Sequence, residues 1–477
     1  MRPLLLVAFL IIYGCDVDTQ ADSPESSASG FDTGYEQVDH IVITGGKLFT
    51  GTDNELRQNR GVWVSNGRIM TVDQSIPDSI EAKAKVIELA DDQTLMPGMI
   101  DLHAHYNMDL IGEGRVDETT YNPVVFLANG VTTTFPAGEY NPNRMMEARK
   151  SINRGEHVGP RILNSGPYIG RENRDHPEAN ADKVTEIVDR WAEKGARGFK
   201  AKGANPEQLE ALIKAAHRHG LTVTGHLDSG RGHSTNSVDA IKMGIDRVEH
   251  ILGGYVLDRE QAAYPVWNEV DTTDADFRKI VDLFLDHEVY FDATLTAPVY
   301  FTELEEGFDY WVDERQFFTE HIQERVDPDA RERSDLMSGL YDAMLRTTKA
   351  FYDAGGGHLI TLGTDAPSRG EFLPGFGAHR ELHTFVLAGI PEASALKIAT
   401  VNGARAIGKD DRLGTLETGK LADMMVINGN PLEDITNTRN VELVIKDGQL
   451  YDPDRLLEQV EGRIGPANEA EYEEWSW

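Results

Sequence analysis

The sequence predicts an α/β fold, a (β/α)8 TIM barrel joined to a composite β-sandwich, and three observations carry that prediction. From about residue 98 to 409, short apolar runs alternate with amphipathic helical stretches, the pattern of a parallel sheet with helical crossovers. Eight such runs occur, near 99–105, 131–135, 161–165, 198–202, 221–226, 246–250, 289–295 and 359–364, and eight favour a closed barrel over an open sheet. On either side, at 39–97 and 410–455, the pattern changes to short β-rich runs separated by Gly, Asn and Asp. These two flanks are predicted to pair into one sandwich, with the barrel inserted between them.

Taken in order, the chain opens with Pro3 to Tyr13, almost wholly apolar after Arg2. This has the character of a short secretory signal and is too short to span a bilayer. Ile12-Tyr13-Gly14-Cys15 resembles a bacterial lipobox, so residues 1–15 read as a lipoprotein-type signal peptide with Cys15 as the lipid-anchored residue. Residues 16–38, rich in Ser, Asp and Gly, read as a flexible tether. The expectation is an exported protein of the bacterial envelope or periplasm, held to the membrane through Cys15. As the only cysteine, Cys15 also excludes an internal disulfide framework.

Ile41-Val42-Ile43-Thr44, Gly61-Val62-Trp63-Val64 and Arg68-Ile69-Met70-Thr71-Val72 are the strands of the first flank. Asp423-Met424-Met425-Val426-Ile427 and Leu443-Val444-Ile445-Lys446-Asp447-Gly448 are their partners from the second. Within the barrel, one repeat is read closely. Gly198-Phe199-Lys200-Ala201-Lys202 is a strand, and Asn205 then caps a helix with Pro206 at its first position. Leu209, Leu212, Ile213 and Ala216 fall at helical spacing, Gly220 ends the helix, and the strand Leu221 to His226 follows. The stretch 300–355 is too long for one crossover and carries Phe308, Tyr310, Trp311, Phe317 and Phe318. It reads as a helical insertion that caps the barrel mouth or makes a subunit contact in a homo-oligomer. Residues 456–477 read as a C-terminal tail.

The chain has 477 residues, 40% of them apolar, enough for one large domain and a smaller one. Its formal net charge of -34 argues against nucleic acid as a partner, because phosphates would be repelled.

The residues that can carry chemistry sit at strand ends. His103 and His105, two apart on the first strand, point to one face with Asp101 behind them, and can hold one metal ion without completing its shell. His226 ends the fifth strand, His250 the sixth and Asp365 the eighth, and Lys200 lies on the fourth. Any one of them alone is as readily a core residue. In a barrel, however, the C-terminal ends of all strands converge on one mouth. Tyr106, Tyr168 and Arg171 follow strand ends and are candidates for substrate contact, against an ordinary loop role. His217 and His219 belong to a helix C-terminus, where positive charge suits the dipole. His379-Arg380-Glu381-Leu382-His383 lacks the spacing of a zinc-protease helix.

Several of these pieces resemble one family. Pro97-Gly98-Met99-Ile100-Asp101-Leu102-His103-Ala104-His105, Val248-Glu249-His250, Gly363-Thr364-Asp365, Gly419-Lys420-Leu421-Ala422-Asp423 and Gly429-Asn430-Pro431-Leu432 are similar to motifs of the amidohydrolase superfamily. The likeness is to its imidazolonepropionase-like and Xaa-Pro dipeptidase (prolidase)-like group, over residues 40 to 450. It implies the same sandwich and barrel. It also implies His103, His105 and Asp365 as ligands of one divalent ion, zinc in the first instance, and His226 and His250 as ligands of a second. Lys200 would bridge the two as a carboxylated lysine, with Lys202 as the rival on the same face. If neither is carboxylated, the site holds one ion.

The activity this implies is metal-assisted hydrolysis of a C–N bond in a dipeptide, an N-acyl amino acid or a cyclic amide, with Asp365 as general base and then acid. The rival enzyme is a deaminase or an imidazolonepropionase-like ring hydrolase. The family's deaminases place a glutamate three residues after the fifth-strand histidine, whereas His226 is followed by Leu227-Asp228-Ser229. The non-enzymatic alternative is a scaffold, and such relatives lose ligands that this chain retains.

Overall fold

The computed structural model describes residues 30–475 apart from 111, 113, 114, 300, 301, 303–313, 326–333 and 368–372. The export segment with Cys15, and Phe308, Tyr310 and Trp311 of the insertion, lie outside the described residues.

All eight parallel strands occur where the sequence places them. They are β1 (Met99–Ala104), β2 (Val131–Pro136), β3 (Arg161–Ile162), β4 (Gly198–Lys202), β5 (Thr222–His226), β6 (Arg247–Glu249), β7 (Tyr290–Asp292) and β8 (Ile360–Thr361). They form two parallel sheets, one in the order β3-β2-β1 and one running from β4 to β8. Backbone hydrogen bonds join the sheets at both seams. Leu102 donates to the Leu362 carbonyl and Asp365 to the His103 carbonyl, each at 2.9 Å, and Arg197 donates to the Asn164 carbonyl at 2.7 Å.

Several strands stop short of their expected ends. His250 and Asp365 adopt positive φ values of 68° and 54°, so the backbone leaves the extended conformation at the residues expected to bind metal.

The connecting helices follow their sequence signals. Asn205 and Gln208 form a reciprocal capping box at the start of the helix Pro206–Arg218. Leu209, Leu212, Ile213 and Ala216 are all buried on its inner face. Gly220 supplies the left-handed residue (φ 66°) that turns the chain into β5.

The terminal segments also meet. Met424–Asn428 pairs antiparallel with Lys85–Pro97, with Val426 opposite Leu95. What the hydrogen bonding shows is one mixed eight-stranded sheet rather than two separate layers. Ile41, Val64, Ile69, Leu95, Val426, Ile445 and Leu450 share a core on one side of it. The turn at Gly67 meets the turn at Gly448, so the two ends of the strand path come together. Lys85–Pro97 runs through Gly98 directly into β1, and a Cβ on Gly98 would lie 2.4 Å from Thr132. Only glycine permits that approach, which fixes how the terminal sheet delivers β1 to the site.

The described part of the insertion holds a 19-residue helix, Asp335–Asp353, buried through Leu340, Met344 and Phe351. Phe317 and Phe318 are buried and pack with Leu456, Val460 and Ile464, so the segment read as a C-terminal tail is docked against the insertion. Ile464 donates to the Phe317 carbonyl at 2.9 Å, and Tyr472 meets His321 at 2.8 Å.

Candidate metal and active site

The six residues expected to bind metal come together at the C-terminal ends of the strands. Asp365 Oδ1 lies 2.8 Å from His105 Nε2 and 3.2 Å from His103 Nε2. The rings of His226 and His250 stand 4.3 Å apart, and those of His103 and His250 5.1 Å apart. Lys200 Nζ is 3.5 Å from His103 Nε2 and forms an ion pair with Glu249. Lys202 instead points its ammonium towards the Tyr168 ring, 5.7 Å from the centroid. Of the two lysines, Lys200 is the one in the cluster.

The sequence reading missed two members. Glu249 and Asp292 are both buried among the expected ligands. Three overlapping sets, His103/His250/Asp365, His226/Glu249/His250 and His103/Glu249/Asp292, each bring their ligand atoms within 4.8 Å of one another. The expected partition, with His103 in one half and His250 in the other, is therefore blurred, since these two also share a set. Glu249 was visible in Val248-Glu249-His250, but its role depends on strand register. Lys200 pairs with Thr224 across β4 and β5, and Thr224 Oγ1 donates to Glu249 Oε1 at 2.7 Å.

Supporting side chains fix the cluster. Asp101 Oδ1 accepts from the His103 backbone at 3.0 Å, and Asp101 Oδ2 accepts from Thr364 Oγ1 at 2.8 Å. One carboxylate thereby ties β1 to the turn that carries Asp365. Thr294 Oγ1 meets His250 Nδ1 at 2.7 Å, and Asn107 Nδ2 meets His105 Nδ1 at 3.2 Å. Asp292 Oδ2 lies 3.4 Å from His103 Nδ1. Both oxygens of Glu381 accept from the backbone of the loop after β7, from Leu295 and Thr296 at 2.8 Å each. Such outer partners orient ligating imidazoles and set their tautomers. Thr294, His250 and Asp365 all sit at positive φ. Each such residue costs about 1–3 kcal/mol, a cost that recurs at functional sites.

The protonation states fit a divalent cation. Burial, reinforced by the nearby Lys200 charge, pushes His226 down to about 3. Burial also takes His105 to about 4 despite the Asp365 carboxylate, and holds His250 well below the usual range. Partial burial opposes the charge of Asp365, yet His103 and His105 keep it well below the usual carboxylate range. Neutral imidazoles and an ionised carboxylate are the forms that ligate metal. His103 is the exception: burial opposes its charge, but Glu249 and Asp365 outweigh burial and lift it to about 9. A cation would take the place of that proton among the same carboxylates. Burial lowers Lys200 even though Glu249 opposes the shift.

The three residues expected to contact substrate fare differently. Tyr106 is buried with its hydroxyl on Thr134 Oγ1 at 2.9 Å and its ring against Phe126, so it is a core residue. Arg171 is exposed and packs its side chain over Gly203 rather than entering the cluster. Tyr168 is buried, and its hydroxyl has no hydrogen-bond partner among the described residues. Tyr264 was not anticipated; its hydroxyl lies 3.4 Å from His226 Nε2. His217 and His219 pair with Asp246 and Asp189 on the outside of the fold. His379 is buried against Thr438, away from the cluster.

Comparison with known proteins agrees with this geometry. The chain is 21% identical to an adenine deaminase of a Bradyrhizobium species over 422 residues, covering 86% of this chain and 58% of that enzyme. It thus spans less than two thirds of the length of the curated relatives it matches. A solved Xaa-Pro dipeptidase with bound methionine superposes with a TM-score of 0.64 at 23% identity, over 87% of this chain and all of that one. A candidate prolidase from Bifidobacterium longum gives 0.66 at 25% identity, over 89% and 99%. The model of the amidohydrolase family matches residues 94–451. Because that match takes in most of the chain and every strand end described above, the chain belongs to the amidohydrolase family.

Proposed function

We propose that the protein is a metal-dependent hydrolase that cleaves a C–N bond in a small substrate: a dipeptide, an N-acyl amino acid or a cyclic amide. The observation that carries this reading is the convergence of Asp365, the buried His103, His105 and His250, the half-buried His226, and Lys200 at one end of the parallel strands. Relatives named as a dipeptidase, a candidate prolidase and a deaminase support it. We also read the two parallel sheets as one (β/α)8 barrel and the terminal sheet as a composite sandwich. The hydrogen bonds at both seams and the meeting of the Gly67 and Gly448 turns support that reading.

In this reading His103, His105 and Asp365 would hold one ion, and His226 and His250 would hold a second. Lys200, its amine freed by burial to take up CO2 with release of a proton, would serve as a further anionic ligand. Divalent ions, zinc in the first instance, supply Lewis acidity at the scissile carbonyl and acidify the attacking water. Asp365 presents Oδ1 to His103 and His105, so Oδ2 is the atom assigned to take the water's proton and return it to the leaving nitrogen. Asp101 and Thr364 hold Asp365 in register with β1 while it does so. Deamination is the second reading, favoured by the named relative and disfavoured by Leu227-Asp228-Ser229 after His226.

The test is hydrolysis of a panel of Xaa-Pro, Xaa-Arg and N-acyl amino acid substrates by metal-loaded protein. Turnover of at least one is expected, with Asp365→Asn lowering kcat by about 10²–10⁴-fold while the fold persists. No turnover of any C–N substrate by protein with metal bound refutes the reading.

A further inference from the structure

The ligand cluster is closed at its base and open at its rim. The side chains of His103, Lys200 and Glu249 are at most 1% exposed, whereas that of Asp365 is 19% exposed and His226 is half-buried. Tyr264, also half-buried, stands at that rim with its hydroxyl 3.4 Å from His226 Nε2. The Asp365 carboxylate is near enough for its charge to bear on the same hydroxyl. The proposed chemistry gives this phenol no task.

Three parts of the fold hold Tyr264 in place. It belongs to a six-residue helix, Ala263–Asn268, in the loop after β6. Just before that helix, Ser229 of the loop after β5 donates its hydroxyl to the Gln261 carbonyl at 2.6 Å. One turn beyond Tyr264, Trp267 is fully buried with its ring 6.3 Å from that of Phe277. Asn268 Nδ2 donates to the Leu336 carbonyl at 3.0 Å, near the start of the helix Asp335–Asp353. A Cβ on Gly339 of that helix would lie 2.8 Å from the same amide nitrogen, so the two helices meet closely. The insertion therefore braces the residue that faces His226. A side chain held from several sides has little freedom left to lose when a ligand arrives, which is what a preorganised donor requires.

The chemistry of imidazole then decides what Tyr264 can do. A neutral imidazole has one bare nitrogen and one N–H. If a cation takes Nε2 of His226, the Tyr264 O–H loses that nitrogen as its acceptor. If the cation takes Nδ1, Nε2 carries the hydrogen, Tyr264 is the acceptor in their contact, and its own hydrogen is left undirected. Whichever nitrogen ligates, the phenol hydrogen has no acceptor on the ring. For Asp365 to pass a proton to the leaving nitrogen, the scissile bond must lie over the cluster on its open side, where Tyr264 stands. We propose that Tyr264 is a catalytic residue that donates its O–H to the oxygen of the scissile carbonyl and holds that oxygen as it gains negative charge at the tetrahedral stage. The phenol keeps its proton throughout, and the proton that moves is the one carried by Asp365. The proposal rests on the reading of the cluster as a C–N hydrolase.

Tyr264→Phe removes the hydroxyl and leaves the ring, and three measurements read its effect. On a panel substrate that turns over, kcat should fall about 10–100-fold with KM changed less than about threefold, the mark of a contact made mainly at the transition state. Dimethylphosphinate, a tetrahedral oxyanion with no amide bond to cleave, should bind the metal-loaded variant at least about tenfold more weakly than metal-loaded wild type in calorimetric titration. Elemental analysis should find the metal content unchanged. A rise in KM alone overturns the proposal, as does a phosphinate affinity equal in the two proteins or a wild-type protein that fails to bind phosphinate. Loss of metal from Tyr264→Phe also overturns it, because Tyr264 would then act by positioning His226. Phosphinate binding that depends on Tyr264, with no amide turned over, would uphold the donor and refute the hydrolase.

Discussion

Replacing Glu249 with Gln tests how the buried charges are balanced. Glu249 and Lys200 have side-chain exposures of 0% and 1% and form a direct ion pair. Removing one partner strands the other charge in the interior, a change that costs about 3–5 kcal/mol. The cost depends on pH in a direction the structure fixes. Burial already lowers the folded-state pKa of Lys200, and loss of Glu249 lowers it further. Stability carried by a lysine with a depressed pKa is lost as pH falls from the unfolded-state pKa towards the folded one. The penalty should therefore be larger near pH 7 and shrink towards pH 10, where the unfolded chain also sheds the proton. Urea unfolding of chelator-treated protein, followed by circular dichroism at both pH values, measures it. A second substitution, Lys200→Met in the Glu249→Gln background, should recover much of the loss, because the stranded charge is gone. A loss below about 1 kcal/mol at pH 7, or one of equal size at both pH values, would refute the reasoning.

Two further outcomes follow from other elements. Burial raises Glu381 to about 8 despite its two backbone hydrogen bonds, so the folded state holds a proton that the unfolded state releases above about 4.5. Wild-type stability should decline as pH rises from about 5 to 8, and the decline should be shallower in Glu381→Gln; parallel urea midpoints in the two proteins would contradict this. Cys15→Ser should release the protein from the membrane fraction of a bacterial host into a soluble envelope fraction, and unchanged partitioning would contradict the lipid anchor.

The backbone of the site was legible because strands announce themselves locally. Apolar runs of four to eight residues bounded by turn residues located all eight parallel strands, and an Asn205 cap with Pro206 and Gly220 bracketed a helix. Ligand residues at strand ends were legible for the same reason. Their partners were not. Lys200 and Glu249 are 49 positions apart, and their contact depends on the register of β4, β5 and β6. No periodicity within one strand encodes that register. Tyr106 and Arg171 show the same limit from the other side. Both follow strand ends, but one hydroxyl is captured by Thr134 on the neighbouring strand, and the other side chain packs over Gly203. The docking of Phe317 and Phe318 on Val460 and Ile464 joins segments too far apart for any local pattern to pair them.

The claim at the centre of this account is that His103, His105, Lys200, His226, His250 and Asp365 form one metal centre. Elemental analysis of purified wild-type protein and of Lys200→Ala tests it most directly. The account predicts one or two equivalents of a divalent metal per wild-type chain, most of it lost in Lys200→Ala. A wild-type chain that binds no divalent metal after loading, or a Lys200→Ala chain with unchanged content, would contradict it.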